Sequence, residues 1–200
     1  MAEERLVKRR RDPRRRIEEI TAATGRVIAA RGIEGLTHRA VAEEGGIPLA
    51  ATTYHFATKD DLIEAALRHA VDGYAAYLED WVAQRPELSP EQLVVLLTDV
   101  LMGMFGPQRG RQAVEFELFL AALRRPALRP IADRDMDLSV GALLHYVDRD
   151  TAEAAATAIT GLGLRGLAGS RPPTRTEVER ILRRILTPNP ALPAPADQDT

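Results

Sequence analysis

Apolar residues recur at intervals of three and four along most of the chain, which is the spacing of an amphipathic helix. The first stripe predicts a helix over residues 14–31 that Gly32 ends, because glycine readily adopts the conformation found just past a helix. A second stripe predicts a helix from Lys59 to about Gln84, roughly 35 Å long at 1.5 Å per residue. We predict no strand anywhere in the chain.

Residues 37–59 lie between these stripes and predict two short helices. Thr37 can cap the first helix, and the glycine pair at 45 and 46 can end it. Pro48 suits the first turn of the second helix, which we expect to run from about Leu49 to His55. Two short helices joined by a glycine-containing turn form a helix-turn-helix, whose second helix can enter the major groove of DNA.

The rest of the chain predicts further helices separated by proline and glycine. The segment Pro90 to Phe105 is apolar nearly all round, so we expect a central, buried helix there. Others follow over residues 111–125, 128–147, 150–170 and 174–186. Capping pairs indicate helix starts at Thr58 with Asp61, Asp150 with Glu153 and Thr174 with Glu177. Residues 187–200 are Pro-rich, polar and acidic, which predicts a disordered tail.

We therefore predict an all-α protein with two functional parts. An amino-terminal three-helix domain, residues 1–59, contains the helix-turn-helix and a basic arm. A helical regulatory domain follows over residues 60–186. The basic cluster at residues 8–16 is equally explained as an extension that seeks DNA phosphates and as a solvated terminus.

Composition narrows the chemistry. The 200 residues contain no cysteine, which excludes a disulfide framework, a thiol nucleophile and a thiolate metal site. Net charge is only −2, but residues 1–59 contain 12 Lys and Arg against 8 Asp and Glu, a balance of +4. The remainder contains 15 against 21, a balance of −6. The positive excess therefore lies with the helix-turn-helix, where DNA phosphates would require it.

The sequence predicts neither a membrane segment nor a catalytic or metal site. The longest apolar run, from Leu93 to Phe105, is interrupted by Asp99 and is too short to cross a bilayer, and the basic start of the chain lacks the apolar run of a signal peptide. No serine, acid and histidine stand in a catalytic arrangement, and the histidines lack metal-ligand spacing. We expect a cytoplasmic protein that is not an enzyme and has no metal or other cofactor.

Gly161 to Gly166 spells the GxGxxG pattern of dinucleotide-binding loops. That pattern needs a preceding strand, whereas the residues before it are alanine-rich and predict a helix, so we reject it. Close packing of two helices and fraying of one helix at Gly161 remain as alternatives.

The second short helix carries residues suited to contact with DNA. Small side chains let the backbone approach base edges, and threonine can meet bases through its methyl or hydroxyl group. These residues are Ala50, Ala51, Thr52 and Thr53. Tyr54, His55 and Lys59 supply donors at the helix exit, where phosphates would lie.

Residues 17–67 resemble the DNA-binding domain of the TetR family of bacterial transcriptional regulators. The matching residues are Gly32, Gly35, Leu36-Thr37, Val41-Ala42, Gly46-Ile47, Tyr54-His55-Phe56, Lys59 and Leu62. By that resemblance Phe56 is core, and the DNA-facing residues are Thr37, Arg39, Ala51, Thr53, Tyr54, His55 and Lys59. The chain departs from the family at Pro48, where a capping serine is usual, and at Thr53, where tyrosine is commoner.

The resemblance also implies a homodimer, most often a repressor, that releases a palindromic DNA operator when a small molecule binds the larger domain. Apolar central helices predict a hydrophobic or amphipathic effector. Candidate ligand-binding residues are Tyr74, Met102, Phe105, Glu115, Phe116, Phe119 and His145. Glu115 and Glu117 both lie in the apolar run of residues 114–120, so one of them could face a cavity, or both could face water or an arginine such as Arg111. The alternatives for the others are plain core packing for the apolar residues and burial with a hydrogen-bond partner for His145.

Residues of about 150–186 carry small and apolar faces that predict the dimer interface, with Ile181 and Leu182 in it. Two other functions stay open at this point. A small helical enzyme would reveal itself by turnover, and an interaction protein whose helix-turn-helix no longer binds DNA would give no gel shift with its own upstream region.

Overall fold

The computed structural model describes residues 12–106 and 108–187, and every regular element in those ranges is helical. The α-helices are α1 (Pro13–Arg31), α2 (His38–Gly45), α3 (Leu49–His55), α4 (Lys59–Ala83), α5 (Pro90–Gly103), α6 (Arg109–Ala121), α7 (Arg129–Leu143), α8 (Arg149–Ala168) and α9 (Arg175–Leu186). The prediction of an all-α protein is confirmed. The predicted basic arm before residue 12 and the tail beyond residue 187 lie outside the described residues.

Local capping explains where several helices begin. The backbone N–H of Asp61 donates to Thr58 Oγ1 at 3.1 Å, and the N–H of Thr58 donates to Asp61 Oδ2 at 2.8 Å. Thr174 and Glu177 form the same reciprocal arrangement, as predicted. The predicted pair Asp150 and Glu153 is wrong. Helix α8 begins earlier, and the Asp148 carboxylate accepts from the Thr151 N–H at 3.0 Å instead.

The chain divides into two compact units. Unit 1 comprises the described residues up to Tyr77 together with Gly110–Asp135. Within it α1 packs against α2, and α2 packs against α3. Its fully buried side chains include Ile20, Val27, Ile28, Leu36, Val41, Leu62 and Ile63. These residues fix the helix-turn-helix on α1, as the first apolar stripe requires.

Unit 2 comprises Leu78–Arg109 and the described residues from Met136 onward. Helix α5 packs against α8 and α9, which also pack against each other. The buried face of α5 carries Leu93, Val94, Leu97, Thr98 and Leu101. Helix α5 is not buried all round, as its apolar sequence suggested, because Val95 is 46% exposed. Among the described residues no helix combines the length and the apolar character needed to cross a membrane.

Helix α8 runs without a break through its glycines, so the suggestion that it frays at Gly161 is wrong. A Cβ atom built on Gly166 would lie 2.5 Å from Phe105 Cζ and 2.8 Å from Pro173 Cδ. At Gly161 a Cβ atom would meet nothing within 4 Å. The close contacts at Gly166 are therefore with two side chains outside the helices, Phe105 after α5 and Pro173 before α9, and not with the backbone of a second helix as predicted. Gly161 has no such close contact among the described residues.

Candidate nucleic-acid interface

The turn between α2 and α3 depends on glycine. Gly46 has φ 59° and ψ 35°, the left-handed conformation that a side chain disfavours. A Cβ atom on Gly45 would lie 2.6 Å from Ile47 Cδ1, and Ile47 is buried. At the start of α2 the Ala40 N–H donates to Thr37 Oγ1 at 3.1 Å. The predicted helix-turn-helix is confirmed in these details.

Helix α3 buries one side and exposes the other. Pro48 occupies the N-cap position and provides no side-chain capping bond. Thr52 is fully buried, and its hydroxyl donates to the Leu49 carbonyl at 2.8 Å. The prediction that Thr52 faces DNA is therefore wrong, because this position attaches the short helix to the core. Phe56 is buried, as the resemblance implied.

The exposed side of α3 is small, polar and partly aromatic. Tyr54 is 84% exposed, and its ring meets the His55 ring edge-on at 5.0 Å between centroids. Thr53 is exposed, with its Oγ1 3.3 Å from both the Leu49 and Ala50 carbonyl oxygens. Ala50 is exposed, and Ala51 and His55 are half-buried. These residues can approach a groove without unfolding α3.

Leu49 is a residue that sequence reasoning missed. It is 43% exposed at the first position of α3, four residues before Thr53 and therefore on the same side of the helix. Spacing could not reveal it, because Thr52 and Phe56 lie three and seven residues after Leu49, and helical periodicity would place all three on the buried side. An exposed leucine here offers an apolar contact for a thymine methyl group.

The remaining predicted DNA-facing residues lie at the start of α2 and just after α3. Thr37 and Arg39 are exposed at the start of α2. Lys59 is half-buried, and its Nζ donates to the Glu34 carbonyl oxygen at 3.4 Å. Glu34 belongs to the turn of residues 32–36 that joins α1 to α2. Lys59 is thus anchored to the protein beside the candidate interface.

The candidate ligand residues of unit 1 are half-buried. The Tyr74 ring stacks on Tyr77 with centroids 6.3 Å apart and an interplanar angle of 16°. Phe116 and Phe119 lie on α6 with Glu115. Arg111 Nε and Gln112 Nε2 donate to the Glu115 carboxylate at 2.8 Å and 2.9 Å. Arginine is thus a partner of Glu115, as the alternative interpretation proposed.

Asp135 is a second acidic side chain near Glu115, and sequence reasoning missed it. Its burial, and then the negative charge of Glu115, raise the pKa of Asp135 to about 6. Both effects oppose ionisation of Asp135. A cation close to both carboxylates would oppose the shift and favour the ionised form.

The other ligand candidates belong to unit 2. Met102 and Phe105 are half-buried against its apolar core, and Phe105 fills the space beside Gly166. His145 is exposed, with its Nδ1 3.2 Å from the Gly141 carbonyl oxygen, so the expectation of burial is wrong. Among the described residues no three His, Asp or Glu side chains are grouped as metal ligands could be.

The two carboxy-terminal helices differ in what they expose. Leu182 is fully buried in the core of unit 2, so its predicted place at a dimer interface is wrong. Ile181 and Ile185 are half-buried on α9. On α8, Leu164 and Gly161 are exposed. Ile181 is therefore accessible to a second copy of the chain, whereas Leu182 is not.

Similarity to known proteins covers both parts of the chain. The family described as bacterial regulatory proteins, tetR family, matches residues 20–66, and the family described as Tetracyclin repressor-like, C-terminal domain, matches residues 88–188. HTH-type transcriptional regulator PksA of Bacillus subtilis (strain 168) is 32% identical over 90 residues. That alignment covers 45% of this chain and 43% of PksA, less than half of each.

Solved structures extend the similarity along the chain. Multidrug binding protein EbrR complexed with ethidium is 38% identical, with a TM-score of 0.74, over 85% of this chain and 98% of EbrR. EbrR complexed with malachite green is 38% identical, with a TM-score of 0.68, over 84% of this chain and 96% of EbrR. Together with the helix-turn-helix geometry, these findings confirm the resemblance seen in the sequence: the chain belongs to the TetR family and is a DNA-binding transcriptional regulator.

Proposed function

We propose that this protein is a homodimeric repressor that binds a palindromic operator and releases it on binding an amphipathic aromatic cation. Residues 1–59 would read DNA, and residues 60–186 would bind effector and partner. The observation that carries the proposal is the exposed side of α3, set on a helix-turn-helix in a TetR-family chain.

The proposed DNA contacts differ in chemistry. Thr53, with Leu49 beside it, faces outward from the middle of α3 and suits base edges. Lys59 and Arg39 suit phosphates, which position a protein on DNA without reading sequence. The complete proposed set is Thr37, Arg39, Leu49, Ala50, Ala51, Thr53, Tyr54, His55 and Lys59.

The proposed effector class rests on chemistry that the relatives and this chain share. EbrR has been solved with ethidium and with malachite green, which are both aromatic cations. In this chain α6 carries Phe116 and Phe119 beside Glu115, and Asp135 adds a second carboxylate. Aromatic rings attract cations through their faces, and a carboxylate offsets the cost of burying positive charge.

Dimerisation would juxtapose two copies of α3 with two DNA half-sites. Ile181 on α9 and the exposed small residues of α8 are the proposed contact surface. The cytoplasm is the proposed location, because a regulator of transcription must reach the chromosome. This function also makes the chain a regulator rather than an enzyme.

The direct test is fluorescence anisotropy with a labelled DNA fragment from immediately upstream of the coding sequence. We expect specific binding that malachite green reverses. Malachite green is the better probe for release because ethidium intercalates into DNA by itself. A different repressor on its own operator, at the same dye concentration, controls for dye–DNA binding. Equal affinity for the fragment and for unrelated DNA would contradict the proposal.

A further inference from the structure

The turn of residues 32–36 is held by side chains that are distant from it in sequence. The Ile33 N–H donates to Glu117 Oε1 at 2.5 Å across 84 positions of the chain. Lys59 Nζ donates to the Glu34 carbonyl oxygen of the same turn at 3.4 Å. Both bonds lie within unit 1. The turn is therefore fixed by α6 and by the first residue of α4 as well as by its own backbone.

Gly32 and Glu117 fit each other. Gly32 has φ 68°, a left-handed value that favours glycine. A Cβ atom at Gly32 would lie 3.1 Å from Glu117 Oε1, so the missing side chain also makes room for the carboxylate. Ile33 is buried, which leaves its N–H few alternative partners. A carboxylate is a strong acceptor for a backbone N–H.

The hydrogen bond from Ile33 to Glu117 connects the candidate DNA-binding residues with the candidate effector-binding residues of α6. Thr37 directly follows the turn, and its hydroxyl caps α2, the helix that carries Arg39. Glu117 lies between Phe116 and Phe119 on α6. A shift of α6 that moved these aromatic rings would also move the carboxylate that holds the turn.

Unit 1 also contains an ion pair that reaches α4 from the segment after α6, and it lies at the surface. Arg125 Nε lies 2.7 Å from Asp60 Oδ1, but the Asp60 side chain is 66% exposed. Solvent-exposed ion pairs contribute little to stability. A hydrogen bond from a buried amide to a carboxylate, by contrast, can shift an equilibrium by about 10- to 150-fold. That range matches the roughly 5- to 150-fold effects typical of allosteric coupling.

We propose that Glu117 is the positioning residue that holds the turn before α2 in its DNA-binding arrangement, and that effector binding lowers operator affinity by weakening the bond from Ile33 to Glu117. This inference rests on the proposed function and assigns its regulation to one side chain. Glu117 itself touches neither DNA nor effector in this scheme.

The test compares Glu117→Ala, Glu117→Gln and the control Arg125→Ala on the upstream DNA fragment, with and without malachite green. For Glu117→Ala we expect operator affinity at least about fivefold weaker without dye and little further release by dye. The Kd for malachite green should become lower than the parent's, because dye binding no longer has to weaken the bond. Glu117→Gln keeps an acceptor oxygen and should recover much of both properties. Arg125→Ala should bind and release as the parent does.

A folded Glu117→Ala protein that binds and releases the operator like the parent would overturn the inference. If Glu117→Ala does not fold, amide hydrogen exchange of Ile33 in the unmodified protein decides. We expect this amide to exchange faster with malachite green bound, and an unchanged rate would overturn the inference. If malachite green does not release the unmodified protein, the effector class is wrong, and operator affinity of the Glu117 variants still tests positioning.

Discussion

Replacing the two glycines at 161 and 166 of α8 by alanine should change the free energy of unfolding in opposite directions. Both glycines lie inside the same continuous helix, so the gain in helix propensity is the same for each, about 0.5–1 kcal/mol. At Gly161 the new methyl group meets nothing within 4 Å. Because Gly161 also lies on the proposed dimer surface, the comparison uses the Ile181→Arg background, for which we expect a folded monomer. In that background Gly161→Ala should stabilise the protein by about 0.5–1 kcal/mol.

At Gly166 the methyl group would lie 2.5 Å from the Phe105 ring and 2.8 Å from Pro173. Overpacking of this kind costs about 1–3 kcal/mol, which exceeds the gain in propensity. The two single variants should therefore differ by about 1–3 kcal/mol. Phe105→Leu removes the ring, so the Gly166→Ala and Phe105→Leu pair should show a favourable interaction energy of about 0.5–3 kcal/mol in a double-mutant cycle.

Urea unfolding followed by far-UV circular dichroism measures these differences. Each variant should be compared at several protein concentrations, because a dimer's apparent stability depends on concentration. If the m-value, the slope of unfolding free energy against urea concentration, is the same in all variants, they expose the same surface on unfolding and their free energies can be compared directly. The packing argument fails if the variants at 161 and 166 have the same midpoint, or if Phe105→Leu gives no rescue.

Three further predictions concern DNA binding, the pH dependence of stability, and assembly. Lys59→Ala should weaken binding to all DNA sequences and reduce the slope of log affinity against log salt concentration by about 1. Thr53→Ala should cost about 1–3 kcal/mol of binding free energy at one base position. Fluorescence anisotropy at several salt concentrations measures both, and an unchanged slope and unchanged specificity would contradict the assignment. Asp135 has a pKa near 6, above its ordinary 3.8, so its stabilising contribution is present below about 3.8 and is lost as pH rises through 6. At pH 7 the free energy of unfolding of Asp135→Asn should therefore exceed the parent's by up to about 3 kcal/mol before solvent screening, and at pH 4 it should not. Urea unfolding at both pH values measures this difference, and parallel curves of unfolding free energy against pH would refute the prediction. Ile181→Arg should yield a folded monomer in light scattering, and a monomeric parent at micromolar concentration would refute the proposed interface.

Features set by neighbouring residues could be predicted from the sequence. The Thr58–Asp61 cap and the left-handed Gly46 depend on a few consecutive positions, and both are found where expected. The helix-turn-helix follows from them, because its turn and caps leave the short helices few alternatives. Interactions between neighbouring residues therefore determine where the helices of the helix-turn-helix begin and end.

Features set by distant residues could not be predicted. The sequence predicts that Thr52 faces DNA, because the hydrophobic periodicity of a seven-residue helix is too weak to identify its buried side. Only the packing of α3 shows that Thr52 is buried. Glu117 bonds to an amide 84 positions away, a pairing that no local pattern indicates. His145 follows an apolar run yet is exposed, since tertiary packing decides which side of a helix end is covered.

The construction of α3 has a consequence for local unfolding. The helix has seven residues, no side-chain cap at its start and one fully buried side chain, Thr52. Isolated helices of this length are not stable in water, and threonine buries less apolar area than leucine would. Helix α3 therefore belongs among the first segments to open when the rest of unit 1 is still folded. DNA that binds α3 must therefore hold it in its helical conformation, and part of the contact energy offsets the conformational entropy that α3 loses. The operator then packs against the side of α3 that the protein core does not cover.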